Sequence, residues 1–331
     1  MPSPRFVHLR FHSEYSITDG IVRIDPMIHA VLEGGGAAVG ISDLMNVFGG
    51  LRFYTHALAA GLKPILGCDL KVINPKDLNK PFRLGVLCMN HEGYHSLSVL
   101  LTKAFLTNND AARGLVDPKW FDDGGSEGLI ALSGAAQGEL GSLLLGKKWA
   151  LAHEAAERFK AQFPGRFYVE LQRAGRPTDE LATARLANFA VEEKLPVVAT
   201  HPIQFLKPED FEAHEVRCSI AEGYTLQDPR RVKRYTPEQY LKSEAEMCEL
   251  FADIPAAIEN TVEIAKRCFL SLNCRFSRRP TACRLTTTSI SSQRKVCKSA
   301  SSFCIQIRRF WKKGVRPMTS VLNMSLALLK G

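Results

Sequence analysis

"FVHLRFHSEYSITDG", residues 6–20, sets His8, Arg10 and His12 two apart and ends on Asp19-Gly20. Residues at that spacing share one face of an extended strand, so the two imidazoles and the guanidinium are expected side by side with an acid close behind. Imidazoles and carboxylates gathered in this way are metal donors. A permanent cation between them opposes a metal, so the stretch reads either as a metal site or as one that has ceased to hold metal.

Short apolar runs recur beyond it: "RFVHLR" (5–10), "AAVGIS" (37–42), "PILGCDLKVI" (64–73), "RLGVLCM" (83–89), "GLIALS" (128–133), "RFYVELQ" (166–172) and "LPVVAT" (195–200). Between them lie helical stretches near 47–60, 92–107, 148–163 and 178–194, and "DPMIHAVLEGG" offers Asp25 as N-cap, Pro26 in the first turn and Gly34-Gly35 as a stop. "KSEAEMCELF" carries a capping box of Ser243 and Glu246, and "IPAAIENTVEIAKR" is amphipathic. Strands alternating with helices predict an α/β fold of parallel strands, either doubly wound or closed into a barrel, and seven strands suit a barrel. Chemistry in such barrels gathers at the carboxyl ends of the strands. Those ends are residues 8–12, Asp43, Asp69, Arg83, 133–135, Gln172 and 201–204.

The formal net charge of +9 is unevenly spread. All 34 acidic residues lie at or before Glu263, against 29 of the 43 basic ones before Arg267, so residues 1–266 carry −5 and the last 65 carry +14. The chain is read as a barrel domain over 1–235, a helical connection over 236–268 and a basic tail over 269–331. The tail has no periodicity and no acid. It is read either as a nucleic-acid-binding arm or as the product of a reading-frame slip near residues 266–269. The five cysteines from Cys268 onward, spaced 6, 9, 14 and 7 apart, fit no zinc pattern. Cys68, Cys88, Cys218 and Cys248 form no C-x-x-C pair and are expected as buried thiols. No apolar run approaches a membrane span and no secretory h-region opens the chain, so a cytoplasmic protein with no membrane partner is expected.

Several local candidates are weak. Ser133-Gly134 lacks the G-x-S-x-G turn of a hydrolase. His91 and His95 stand at i, i+4, which suits either a metal clamp or an exposed helix face. "RRVKRY" (230–235) reads as a solvated loop, with a phosphate-contacting run as the functional alternative.

Taken together, "FVHLRFHSEYSITDG", "GISDLMNVFGGLRFY", "GLKPILGCDLKV", "NHEGYHSLSVLLTKAF", "LIALSG", "LPVVAT", "DFEAHEVRCSI" and "YTPEQYLKSEAEMCELFADIPAAIENTVEIAKRC" strongly resemble the N-terminal PHP (polymerase and histidinol phosphatase) domain of bacterial replicative DNA polymerase III alpha subunits, from about residue 5 to 268. The resemblance implies a distorted seven-stranded β/α barrel. Metal-binding members follow H-L-H-x-H-S-x-Y-S-x-x-D-G, then D-H-G, a G-x-E strand, a His, a Cys after S-G, and N-D-x-H. On that pattern His12, Asp19 and Asp43 match, and Asp69 stands where Glu is usual. Arg10, Leu44, Arg83, Ala135, Pro202 and Gln204 occupy the other ligand positions. Leu, Ala and Pro side chains have no lone pair to give, and an arginine is a cation with no acceptor. The expectation is a vestigial pocket in which Arg10, with Arg83, neutralises Asp19, Asp43 and Asp69, with no catalytic residue and no metal, His12 and the three aspartates being the weak residual ligands.

The family is a DNA-directed DNA polymerase that uses Mg2+ held by palm carboxylates, and the palm lies beyond the length of this chain. The resemblance therefore implies a scaffold that docks the proofreading exonuclease subunit and meets DNA only through the parent enzyme, with no cofactor of its own. The enzymatic alternative is a metal-dependent phosphoesterase, pyrophosphatase or 3′–5′ exonuclease in the barrel mouth.

Overall fold

The computed structural model describes residues 5–107 and 114–272. The readings made for 273–331, including the basic arm, lie outside the described residues. Six strands, β1 (Ala38–Leu44), β2 (Lys63–Val72), β3 (Phe82–Cys88), β4 (Leu129–Leu132), β5 (Phe167–Gln172) and β6 (Val197–Thr200), form one curled sheet in sequence order. Each lies within two residues of an apolar run in the sequence. The helices α1 (Ile24–Glu33), α2 (Gly50–Ala59), α3 (His91–Leu106), α4 (Glu139–Leu145), α5 (Trp149–Gln162), α6 (Asp179–Glu192), α7 (Phe211–Glu222), α8 (Glu244–Leu250) and α9 (Pro255–Arg267) accompany it.

The sheet is mixed rather than parallel. β1–β2, β4–β5 and β5–β6 pair parallel, whereas β3 is antiparallel to both β2 and β4. Nine residues without a helix join β2 to β3. A connection that short cannot carry the chain back for a parallel pairing, so β3 runs the other way. Arg83, near its start, therefore sits level with the carboxyl ends of its neighbours.

The expected first strand, 5–10, is not a regular strand. His8 O accepts from Gly40 N at 2.7 Å and Phe11 O from Ser42 N at 2.8 Å, so three steps along this segment are matched by two along β1. That extra residue is a bulge, which interrupts a ladder and reverses the side-chain alternation beyond it. On the other side the segment exchanges bonds with Ile203, beyond the end of β6: His12 N donates to Ile203 O and Ile203 N to Arg10 O. The segment thus bridges the two edges of the sheet without a regular ladder on either side.

Two apolar layers follow from the alternation. Val7, Leu9, Ile65, Leu87, Ile130, Leu132, Tyr168 and Val198 fill the inside of the curl, joined by Ile264, Ala265 and Cys268 at the end of α9. Their strand neighbours Ile41, Leu66, Leu70, Val86, Ala131 and Leu171 face outward to the helices. α9 is therefore part of the core: Thr261 Oγ1 accepts from Val7 N at 3.0 Å and Asn260 Nδ2 donates to Val197 O at 2.8 Å. Residues through Leu272 make one compact unit.

Ser243 and Glu246 form the capping box read from the sequence. Asp25 is not an N-cap. Helix α1 starts two residues earlier with Arg23 as the cap, and Asp25 sits in its first turn, where it accepts from Arg52 at 3.0 Å. Cys68, Cys88 and Cys218 are buried free thiols, whereas Cys248 is only half-buried. No helix among the described residues is long and apolar enough to cross a membrane.

The bulge leaves no room at Gly40, where an added Cβ would stand 2.7 Å from Leu9 O and 2.9 Å from Leu9 Cα. Gly40→Ala is expected to push the N-terminal segment off the sheet and to lower unfolding free energy by about 2–4 kcal/mol, read as a lower urea midpoint. An unchanged midpoint would contradict this packing.

Candidate functional site

The bulge decides which side chains enter the mouth of the barrel. Val7 and Leu9 point inward with the inner layer, and Phe11 packs outward. Arg10 and His12 line the mouth. An uninterrupted strand would have sent Arg10 to the outside with His8. Instead His8 is alone there: its Nε2 lies 2.8 Å from Lys242 O, and burial lowers its pKa to about 4. The expectation that His8, Arg10 and His12 share a face is corrected by this single extra residue.

The mouth is a cavity of about 690 Å3. Of the residues at the family's ligand positions, Arg10, His12, Asp19, Asp69, Arg83, Pro202 and Gln204 line it. Asp43, Leu44 and Ala135 are not among the lining residues. Asp43 is instead held behind the segment by Ser13, whose N and Oγ donate to Oδ1 at 2.7 and 2.9 Å. Among the described residues it meets no arginine, and burial raises its pKa despite those bonds. Leu44 gives its backbone N–H to Ser16 Oγ at 2.8 Å, and Ala135 is buried at a positive φ of 48°.

Asp69 is fully buried at the centre. Arg10 Nη2 bonds its Oδ2, Arg83 Nη2 reaches the same oxygen at 2.5 Å and Arg83 Nε at 3.2 Å. Burial alone would raise the carboxyl's pKa, but the two guanidiniums outweigh it and hold it well below the usual range. The other half of the Arg10 fork goes to Glu170, with Nη1 3.1 and 3.0 Å from its two oxygens. Glu170, also fully buried, further accepts from Gly134 N at 2.9 Å, Gln172 Nε2 at 3.0 Å and the Thr200 hydroxyl. Arg10 thus ties β2 to β5 across the inside of the barrel.

His12 lies between two acids, with Nδ1 3.2 Å from Asp19 Oδ2 and Nε2 3.3 Å from Asp69 Oδ2. Burial opposes its charge, yet Asp19 and Asp69 prevail and raise its pKa to about 9. Asp19, despite burial, is lowered to about 2 by His12 and Arg83 and also accepts from the Tyr235 hydroxyl at 3.3 Å. Gln204 Nε2 lies 3.2 Å from His12 Nδ1, and its Oε1 has no partner. Turning that amide over would let Oε1 share the Nδ1 proton with Asp19.

Sequence reading missed Glu170, Tyr235, Lys71 and Arg176, all of which shape the mouth. Glu170 carried a signal: an acid inside the apolar run "FYVELQ" must find a partner when buried. "RRVKRY" is not simply a solvated loop, since Arg231 is buried against Glu215 at 2.7 Å and Arg234 lines the mouth. His91 and His95 are exposed on α3. Among the described residues no group of three or more His, Cys, Asp and Glu side chains is arranged to hold a metal ion. What the mouth presents is a charge-paired polar network.

Removing one partner of a buried pair costs about 3–5 kcal/mol, because the other charge is left uncompensated. Arg10→Leu is therefore expected to destabilise by that order, and Arg10→Leu with Glu170→Gln to recover part of it, in urea unfolding. A double variant no better than the single one would show that the two charges are not coupled. The histidines set a pH optimum. His8 and His201, lowered by burial to about 4 and about 3, cost stability as pH falls below the unfolded value of about 6.5. His12 contributes stability that is complete below about 6.5 and lost as pH rises through about 9. The melting temperature should peak near neutrality, and His12→Gln should flatten the alkaline limb alone. An unaltered alkaline limb would remove His12 from the account.

Residues 8–174 match the PHP domain family. DNA polymerase III subunit alpha of Pseudomonas fluorescens is 46% identical over 80% of this chain and 22% of its own length. That of Escherichia coli strain K12 is 43% identical over 81% of this chain and 23% of its own. This chain thus spans about a quarter or less of the length of these relatives. Among solved structures, an amidohydrolase from Chromobacterium violaceum superposes with a TM-score of 0.40 at 12% identity, over 60% of this chain and 87% of that one. With half of its length matched, the chain belongs to the PHP-domain family.

Proposed function

We propose that this chain is the N-terminal barrel of a replicative DNA polymerase III alpha subunit and serves there as a scaffold that docks the proofreading exonuclease subunit. Its mouth, on this reading, is a metal site taken over by guanidinium groups. The observation that carries it is the Arg10 fork, one arm on Asp69 and the other on Glu170. A divalent ion needs four or more donors with free lone pairs, and the best-placed carboxylates already spend theirs on two arginines. Arg10, Leu44, Arg83, Ala135, Pro202 and Gln204 supply at most one amide oxygen at the six remaining ligand positions. The residues present do not fit the metals of the family.

Nucleotidyl transfer by the parent enzyme would draw on Mg2+ held outside this chain. What the barrel contributes is shape: a closed core stiffened from inside, with its helices free to present a docking surface. Cytoplasmic location follows from the same reading.

Elemental analysis of the purified chain should find well under one zinc, manganese or iron per molecule, and p-nitrophenyl phosphate should not be hydrolysed with added manganese. The exonuclease subunit should be retained on the immobilised chain. Stoichiometric metal, with hydrolysis lost in His12→Ala and Asp43→Asn, would instead establish the phosphoesterase.

A further inference from the structure

Helix α7, Phe211–Glu222, carries its polarity inverted. Its buried side consists of His214, Glu215, Cys218 and Ser219. Three of these find polar partners there: His214 Nε2 donates to Asp19 O at 2.7 Å, Glu215 pairs with Arg231 at 2.7 Å and Ser219 Oγ donates to Glu215 O at 2.8 Å. The outer side presents Ala213, Val216 and Ile220, all exposed, Ile220 to 73%. A surface helix ordinarily does the reverse, as α6 does by burying Ala182, Leu186, Phe189 and Ala190. An apolar face turned outward on a helix whose polar side is satisfied within the protein calls for a cover.

The pattern of that face says what the cover is. Ala213, Val216 and Ile220 follow a, d, a spacing, which puts Glu212 at a g position and Arg217 at an e position, one on each flank of the stripe. Neither has an ion-pair partner among the described residues. Arg217 is held in place by its Nε, which donates to Ile17 O at 2.6 Å. Ile17 itself stands at φ 62° and ψ −55°, with Thr18 N donating to Ser16 O at 2.6 Å. That is a γ-turn of the rare hand, which a β-branched residue adopts only at a cost. It leaves the Ile17 side chain half exposed beside Arg217.

We infer that α7 pairs with α7 of a second copy of this chain, parallel and side by side, about a two-fold axis running along the two helices. In a parallel pair a g residue meets the e residue of the partner's next turn, so Glu212 of each copy reaches Arg217 of the other. One helix thus supplies both members of each ion pair. The two-fold axis then makes the pairing twice over. An antiparallel pair would set e against e, bringing Arg217 against its own copy, and is disfavoured for that reason. Ala213 lets the helices approach closely, and Val216 and Ile220 fill the seam. The seam is short, because a helix of 12 residues spans about 18 Å. Association in the range of about 10–100 μM is expected for so small an interface.

The test is sedimentation equilibrium of the full chain at physiological ionic strength, over about 5–300 μM to bracket the expected affinity. The basic C-terminal stretch is common to every variant, so differences between variants are what is read. A monomer–dimer equilibrium is expected, weakened about tenfold or more in Ile220→Asp. Glu212→Arg alone and Arg217→Glu alone should each associate less than wild type, since each sets like charges across the axis. An equimolar mixture of those two variants should associate more tightly than either, because the mixed pair restores both ion pairs. Ile220 is largely exposed, so Ile220→Asp keeps the test valid should Arg217→Glu fail to fold. A wild-type chain that stays monomeric, a dimer indifferent to Ile220→Asp, or a mixture no tighter than its components would overturn the inference. The Ile220→Asp chain should still retain the exonuclease subunit. Loss of that retention, with wild type monomeric, would assign the face to the exonuclease instead, overturning the dimer while leaving the scaffold reading intact.

Discussion

A carboxylate with no solvent exposure, Asp69, stands at the centre of this barrel, and the rest of the mouth is arranged to keep it ionised. An isolated buried charge costs so much that a protein neutralises it or pairs it. Here the pairing comes from two directions: Arg10 and His12 from the N-terminal segment and Arg83 from the reversed strand. The charge balance can therefore be met only when both are in place. Buried ion pairs are weak contributors to net stability but strong discriminators between arrangements. The network therefore specifies how the N-terminal segment lies across the sheet more than it strengthens the fold.

That segment has little else to fix its register. Among the described residues it is tied to β1 by two backbone hydrogen bonds and to Ile203 by a single bridge, and a slip of one residue would exchange its inner and outer faces. Two constraints prevent the slip. Gly40 admits the backbone of Leu9 at a distance no side chain would allow. Arg10 finds two acids only from the inner face. The bulge, the glycine and the guanidinium are thus one device seen at three levels: backbone count, steric room and charge.

The fold was legible because its signal is periodic. Each of the six strands and the helices α1, α2, α3, α5, α6, α8 and α9 coincide with patterns read directly from the residues. Orientation was less so, since the reversal of β3 is set by a connection too short for a crossover and not by the strand's own composition. At the site, the ligand positions named from the family pattern mostly converge, but the pairing inferred for them does not hold throughout. Asp43 belongs to Ser13, and Asp19 to His12 and Tyr235. A one-residue bulge leaves no mark in hydropathy, and without it the face of every residue from Arg10 to Ser13 is misassigned. Glu170 was legible in principle, as a charge in an apolar strand. Arg176 was not, because it sits in a loop where an arginine is ordinary.

The same network explains why the mouth cannot be half metal-binding and half locked. Asp69 is shared by three cationic groups, and any divalent ion placed on it would stand against Arg10 and Arg83 at contact distance. Like charges that close repel by several kcal/mol even at an effective dielectric near 20. Placing a metal there would therefore require both arginines to leave, and the loss of Arg10 would leave Glu170 without a cationic partner among the described residues. The surplus of positive charge has the opposite sense. Once Asp69 and Glu170 are answered, every further cation lining the cavity raises its potential. Arg176 and Lys71 add to it, offset only in part by Asp179 beside the one and by Asp19 and Asp69 near the other. The lining of the mouth thus carries more cationic side chains than carboxylates, a polarity opposite to what a divalent cation requires.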